Sequence, residues 1–220
     1  MNKVIKSILI IISYFIYDLL FKAILYAFNI NFYTLNTNHK VIVTIIINVI
    51  YMLLLIFIYR KELLEELKDF KRNYKKYLSN NILIYLLGIA IMFIINLILN
   101  RITNKTLSGN EEIVRLLIKE FPIYMFFSTV IYAPLVEELI FRKTVKKIFK
   151  NKYLFIIACG LVFGALHISN YSDINEILYS IPYIIMGMDF AYIYYKTDNI
   201  FTTITFHLCH NLILLIIQLI

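Results

Sequence analysis

Residues 41–59, 81–100, 121–136 and 153–166 contain no charged side chain, and each run stands close to the roughly 20 mostly apolar residues that a helix needs to cross a bilayer. A chain of 220 residues keeps much of its surface exposed, so its 61% hydrophobic and 16% charged composition cannot be explained by a large buried core. Lipid must solvate the excess. The pattern predicts an all-α, polytopic transmembrane helix bundle with about seven spans, at 4–28, 41–59, 81–100, 121–142, 153–168, 177–195 and 200–220. The first run has a basic flank but no small-residue cleavage site, and it reads as an uncleaved span. No Pro/Gly/Ser linker divides the chain. It is expected to be one membrane domain, 1–220, with motif-free spans over 1–119 and a catalytic core over 120–220.

The net charge of +8 is a loop property. With the N-terminus in the cytoplasm, the inner side receives Lys3, Lys6, seven basic residues between 60 and 76, six between 142 and 152, and Lys196. That is sixteen of 22. The bias orients a membrane protein, and basic loops beside anionic lipid account for the charge without nucleic acid. Tyr51, Tyr59, Tyr194 and Tyr195, near span ends, fit an interfacial aromatic belt. Cys159 and Cys209 lie in apolar runs and read as small packing residues. Leu63, Leu64, Leu67 and Phe70 recur at helical spacing within 60–78, as for a surface helix on the inner leaflet or a solvated helical loop. Ser108 ahead of Glu111 predicts the cap of a short outer helix.

Function is written in the residues that break the apolar pattern, because a charged group inside a span costs a few kcal/mol and normally faces a cavity or a partner. Glu137 and Glu138 point about 100° apart on a helix. Glu138 and Arg142, four apart, are placed to pair, which leaves Glu137 free for chemistry. Pro134 removes a helix hydrogen bond just ahead of them. In Gly160-Leu-Val-Phe-Gly-Ala-Leu-His167, Phe163 and His167 share a face, and Gly160 with Gly164 forms a small-xxx-small contact. In the last span His207 and Asn211 share a face, with His210 slightly off it. If the fourth helix continues to about Phe149, Glu137 and His167 lie roughly 20 and 22 Å above the cytoplasmic loop, and His207 and Asn211 roughly 10 and 16 Å up. One pocket then holds all four, reached from the inner side.

A glutamate held out of bulk water beside a histidine is a base for a water molecule, and facing His and Asn side chains can donate to a developing oxyanion. No strong serine-nucleophile signature is present: Ser128 and Ser169 are candidates by proximity in sequence alone. Glu137, His167 and His207 would equally make a zinc set of two imidazoles and a carboxylate with one open position, although no H-E-x-x-H helix is present.

The ordered set E-E-x-x-x-R, F-x-x-x-H and H-x-x-x-N on successive apolar segments over 120–220 resembles the CAAX-protease and bacteriocin-processing (CPBP, or Abi) family, which includes the type II CAAX prenyl endopeptidases. The resemblance implies an intramembrane peptidase. It makes Glu137 the water-activating glutamate, His167 its partner, and His207 and Asn211 the oxyanion pair, with Glu138, Arg142 and Phe163 in support. The family has been described both as metalloproteases and as metal-independent glutamate proteases. The second reading is preferred here, with no cofactor required and zinc on Glu137, His167 and His207 as the alternative. Lys143 stands where a small residue usually follows the motif arginine, and His210 is an extra titratable group. The better-known prenyl endopeptidases have a further span after the His207 helix. The implied partners are membrane lipid and a peptide or lipidated-peptide substrate, CAAX-type or bacteriocin- or pheromone-like. The competing classes are a self-immunity module that works by binding and a transporter with a Glu/His proton relay. The Ile/Asn/Lys-rich composition suits a bacterial cell membrane.

Overall fold

A computed structural model of the chain describes residues 2–220. Its elements are α1 (Lys3–Ala27), α2 (Thr37–Thr103), α3 (Gly109–Glu120), α4 (Pro122–Thr144), α5 (Lys152–Ala165), the short α6 (Ile174–Leu178), α7 (Ser180–Thr197) and α8 (Ile200–Leu219), with no strand among the described residues. Short polar side chains start six of them. Asn2, Asn36, Ser108, Asn151, Asp173 and Asn199 each accept a backbone N–H from the first turn of the helix they precede, filling donors that no helix satisfies internally. The Ser108 cap on Glu111 is the predicted one. Asn104 and Asp198 end α2 and α7 in the left-handed region, at φ 55° and 49°, where Asn and Asp are the side chains that bond locally and tolerate the strain.

Among the described residues, five helical segments are long and apolar enough to cross a membrane, and α5 is shorter. The predicted second and third spans are both parts of α2, an unbroken 67-residue helix. A straight helix of that length would run about 100 Å. Yet Tyr51 of α2 meets Ser13 of α1, whose neighbour Tyr14 lines the same cavity as Asn96 of α2. The helix therefore bends strongly around the bundle. Its charged middle is exposed or half-buried along its length but is anchored to the bundle on one face. Glu62 and Glu66 pair with Lys143, Glu62 also pairs with Lys147, and Phe70 packs on Phe201. The helix thus closes the basic end of the molecule.

The core surrounds the lower half of α4, where Val136, Leu139, Ile140 and Phe141 are fully buried. The tyrosines expected at the interface are mostly core groups. Tyr51, Tyr59 and Tyr194 are buried, and Tyr59 shares a hydrogen bond with Thr144. Only Tyr195 of the four is exposed. Cys159 packs and donates to the Phe141 carbonyl, whereas Cys209 is exposed rather than packed. Lipid-facing surface remains on residues such as Phe15, Leu19, Ile213 and Ile217.

Among helices in lipid there is little hydrophobic drive to associate, so close approach at small residues does the work. A Cβ at Gly160 would stand 2.9 Å from the Ile184 carbonyl oxygen, one at Gly164 would stand 3.0 Å from that of Ser180, and one at Gly187 would stand 3.0 Å from the Gly160 Cα. The predicted small-xxx-small contact thus seats α5 on α7. Gly164→Leu is expected to destabilise the purified protein by about 1–3 kcal/mol, as overpacking does, read as a lower midpoint of thermal unfolding in detergent.

Candidate active site

Two stretches of α4 are wound as π-helix, Phe126–Tyr132 and Leu139–Thr144, flanking Pro134. The Ala133 N–H bonds back five residues to the Ser128 carbonyl. In that register the Thr129 carbonyl would next need the N–H of residue 134, and proline has none. Asn211 fills the gap: its side-chain amide donates to the Thr129 oxygen at 2.7 Å. The last helix is thus tied to the widened turn just above the acidic pair, where π-bulges commonly mark functional sites.

Glu138 and Arg142 form the expected ion pair, at 3.3 Å, with both side chains fully buried. The guanidinium also lies 4.6 Å from the Phe163 ring centroid and 5.7 Å from that of Phe190, a cation–π setting for a charge far from water. Glu138 does a second job that the sequence did not reveal. Its Oε1 lies 2.9 Å from His207 Nδ1, and a carboxylate there demands that Nδ1 carry the proton. This directs His207 Nε2 to the other acid, Glu137 Oε2, at 3.9 Å. Glu138 is sealed, while the Glu137 side chain keeps 16% exposure and reaches open space.

That space is a cavity of about 520 Å³ lined by all four predicted catalytic residues, Glu137, His167, His207 and Asn211, together with Phe163. His207, not His167, is the histidine against Glu137. His167 places Nδ1 2.7 Å from the Phe163 carbonyl and stacks on Tyr183, with ring centroids 4.1 Å apart and planes 14° apart. Its Nε2 remains for the cavity. Tyr183, which the sequence did not single out, accepts a weak bond from Asn110 of α3 at 3.4 Å and so links the outer helix to the His167 ring. Among the described residues no group of three His, Cys, Asp or Glu side chains is close enough to hold a metal ion. The alternative zinc set therefore shares one cavity without being assembled as ligands. His210 lines the cavity and lies 3.3 Å from the Tyr85 hydroxyl. Ser128 lines the cavity, whereas the Ser169 hydroxyl donates to Glu176.

The four residues line one cavity, but the rest of its lining runs away from the basic loops rather than toward them. The helical run ends at Lys146, before Phe149. Beyond the four residues the lining comprises Asn96, Asn100, residues 106–108 and the α3 face Glu111, Val114, Arg115 and Ile118, all toward the end opposite the basic loops. Glu176 organises this end. Its carboxylate accepts the Gly109 N–H at 2.9 and 3.1 Å and the Ser169 hydroxyl at 2.7 Å, and it pairs with Lys105. Lys105 also bonds Asp173, holding that carboxyl below its usual range.

The Thr129 contact gives Asn211 a measurable structural share. Asn211→Ala leaves a carbonyl without its donor, an expected cost of about 1–3 kcal/mol. Asn211→Ser, which retains a donor, should recover part of the thermal midpoint but not the second amide N–H offered to the cavity.

Residues 119–213 match the family described as "Type II CAAX prenyl endopeptidase Rce1-like". The chain is also similar to a Bacillus subtilis (strain 168) protein named "Putative membrane peptidase YdiL", with 30% identity over 115 residues. That alignment covers 51% of this chain and 44% of the relative, so the chain spans less than half the length of the curated protein it matches. No solved structure matches.

Proposed function

We propose that this chain, whose residues 119–213 match the type II CAAX prenyl endopeptidase family, is an intramembrane endopeptidase that hydrolyses a small or membrane-associated peptide with a water molecule activated by Glu137. The observation that carries the reading is the Glu138–His207–Glu137 arrangement at the closed end of the cavity, with His207 Nδ1 fixed at 2.9 Å and Nε2 turned toward Glu137. Glu137 accepts a proton as the water oxygen bonds to the scissile carbonyl carbon. The oxyanion that forms faces His207 Nε2, which donates when both ring nitrogens carry protons, and the amide proton of Asn211 not spent on Thr129. The proton held by Glu137 passes to the amine nitrogen as the C–N bond breaks, leaving a carboxylic acid and an amine and returning Glu137 to its carboxylate form. Glu138 and Arg142 hold the His207 ring with its Nδ1–H toward Glu138, and Phe163 and Tyr183 hold the neighbouring ring of His167 at the cavity wall.

Apolar groups such as Met92, Val114, Ile118 and Leu215 share the lining with the side-chain amides of Asn96, Asn100, Asn110 and Gln218. Such a wall suits an extended peptide, whose backbone needs donors and acceptors while its apolar side chains need contact. CAAX-type, prenylated and bacteriocin- or pheromone-like peptides all fall in that class.

The test is cleavage of a peptide library, prenylated and unprenylated, by the detergent-solubilised protein beside Glu137→Gln, each with and without a zinc chelator. Cleavage abolished by the substitution and indifferent to chelator supports the glutamate-activated water. Cleavage lost to chelator and restored by zinc would move Glu137, His167 and His207 to a metal. A biological function that survives Glu137→Gln would instead identify a module that works by binding.

A further inference from the structure

The cavity has a direction. Its closed end is formed by Glu137, His207 and Phe190, and from there the lining climbs one face of each surrounding helix. On α8 it steps from His207 through Asn211 to Gln218, and on α7 from Phe190 through Tyr183 to Tyr179. Eleven residues of helix separate His207 from Gln218, a rise of roughly 16 Å. Nothing below the acidic pair takes part. There the Glu138–Arg142 pair, Phe141 and Ile193 are fully buried. The ion pairs Lys143–Glu62, Lys143–Glu66, Lys147–Glu62 and Lys146–Asp198 tie that end together around a separate surface hollow of about 370 Å³.

The closed end is also the basic end. The loops at 60–76 and 143–152 meet there through those pairs, and Lys196 of α7 reaches the Asn80 carbonyl of α2 beside them. Arg142 and Lys143 are buried in the bundle and drop out of the orienting charge. Fourteen basic residues on this side still face six on the other, and such a bias places the richer side in the cytoplasm.

Putting the two directions together, we propose that the catalytic cavity opens to the extracytoplasmic side, beneath helix α3, and that its substrate is a peptide presented at the outer face of the membrane. The substrate statement rests on the peptidase reading; the direction of opening does not. A peptide reaching Glu137 passes the α3 face that carries Glu111 and Arg115, held in place by the Glu176 contact with the Gly109 N–H and by Gln218, which donates to Glu111 at 2.6 Å.

Thiol labelling in spheroplasts expressing the full chain tests this without using catalysis. In a Cys209→Ala background, with Cys159 left buried, Ser128→Cys reports the cavity and Lys150→Cys the basic end. Leu214→Cys is a second cavity reporter should Ser128→Cys fold poorly, judged by gel filtration. A small, cationic, membrane-impermeant methanethiosulfonate is applied outside, and surviving thiols are counted with a maleimide after denaturation. The expected result is loss of the cavity thiol in intact spheroplasts, and loss of the Lys150→Cys thiol only after permeabilisation. A cavity thiol that reacts only after permeabilisation, or in neither condition, overturns the proposal, as does a Lys150→Cys thiol that reacts from outside. Adding Glu137→Gln should leave the labelling pattern unchanged, so an inactive enzyme and a wrongly directed cavity give different results.

Discussion

Arg142→Met should unfold this protein more easily than any other conservative change in the catalytic helices. The guanidinium is fully buried against Glu138, Phe163 and Phe190. Removing it leaves the buried Glu138 carboxylate without its cationic partner, with His207 and Thr203 beside it. Deleting one partner of a buried pair costs about 3–5 kcal/mol, whereas replacing both by apolar groups of similar volume is often neutral or stabilising. The double variant E138L/R142M should therefore recover most of the thermal midpoint lost by Arg142→Met. It should not recover activity, because His207 then has no acceptor at Nδ1. Thermal unfolding in detergent followed alongside peptide cleavage separates the two. A double variant as unstable as the single one would show that the pair is needed for the fold itself.

Glu138→Gln carries the largest expected effect on catalysis outside Glu137. The substitution is nearly isosteric and keeps a hydrogen-bonding group at 2.9 Å from His207 Nδ1. An amide can donate as well as accept, so it no longer obliges Nδ1 to hold the proton, and it no longer supports a positive charge on the ring. Loss of the tautomer-fixing carboxylate behind a catalytic histidine costs about 10⁴-fold where it has been measured with the geometry intact, and general acid–base roles span about 10²–10⁴-fold. A fall of about 10²- to 10⁴-fold in kcat with little change in KM is expected from single-turnover and steady-state cleavage. Unchanged kcat would remove His207 from the chemistry and return the partner role to His167.

Much of the site was legible because membrane spans make polar residues conspicuous. Glu137, His167, His207 and Asn211 stand out against apolar runs, and helical spacing is enough to predict the Glu138–Arg142 pair and the Gly160/Gly164 contact. Asp189 stood out equally and was missed. It sits in α7 against Gly88, with Oδ2 buried and unpartnered. Spacing within one helix says nothing of what faces it from another. The Glu138 bond to His207 joins residues 69 apart in the chain, and the Asn211 bond to Thr129 joins residues 82 apart.

What the sequence alone determined is the solvent and the inventory. Apolar runs of span length demand lipid, and basic loops between them set a direction. The polar residues left in the spans are few enough to name. Tertiary structure decided which of them touch. The π-register around Pro134, read from no propensity, orphans one carbonyl and so recruits Asn211. Packing likewise drew Tyr51, Tyr59 and Tyr194 into the core from positions that read as interfacial. The direction of the cavity also came from packing alone, because the closed end is made by ion pairs and aromatic contacts between distant segments, and the depth of a residue along its own helix carries no sign of which end its neighbours will seal.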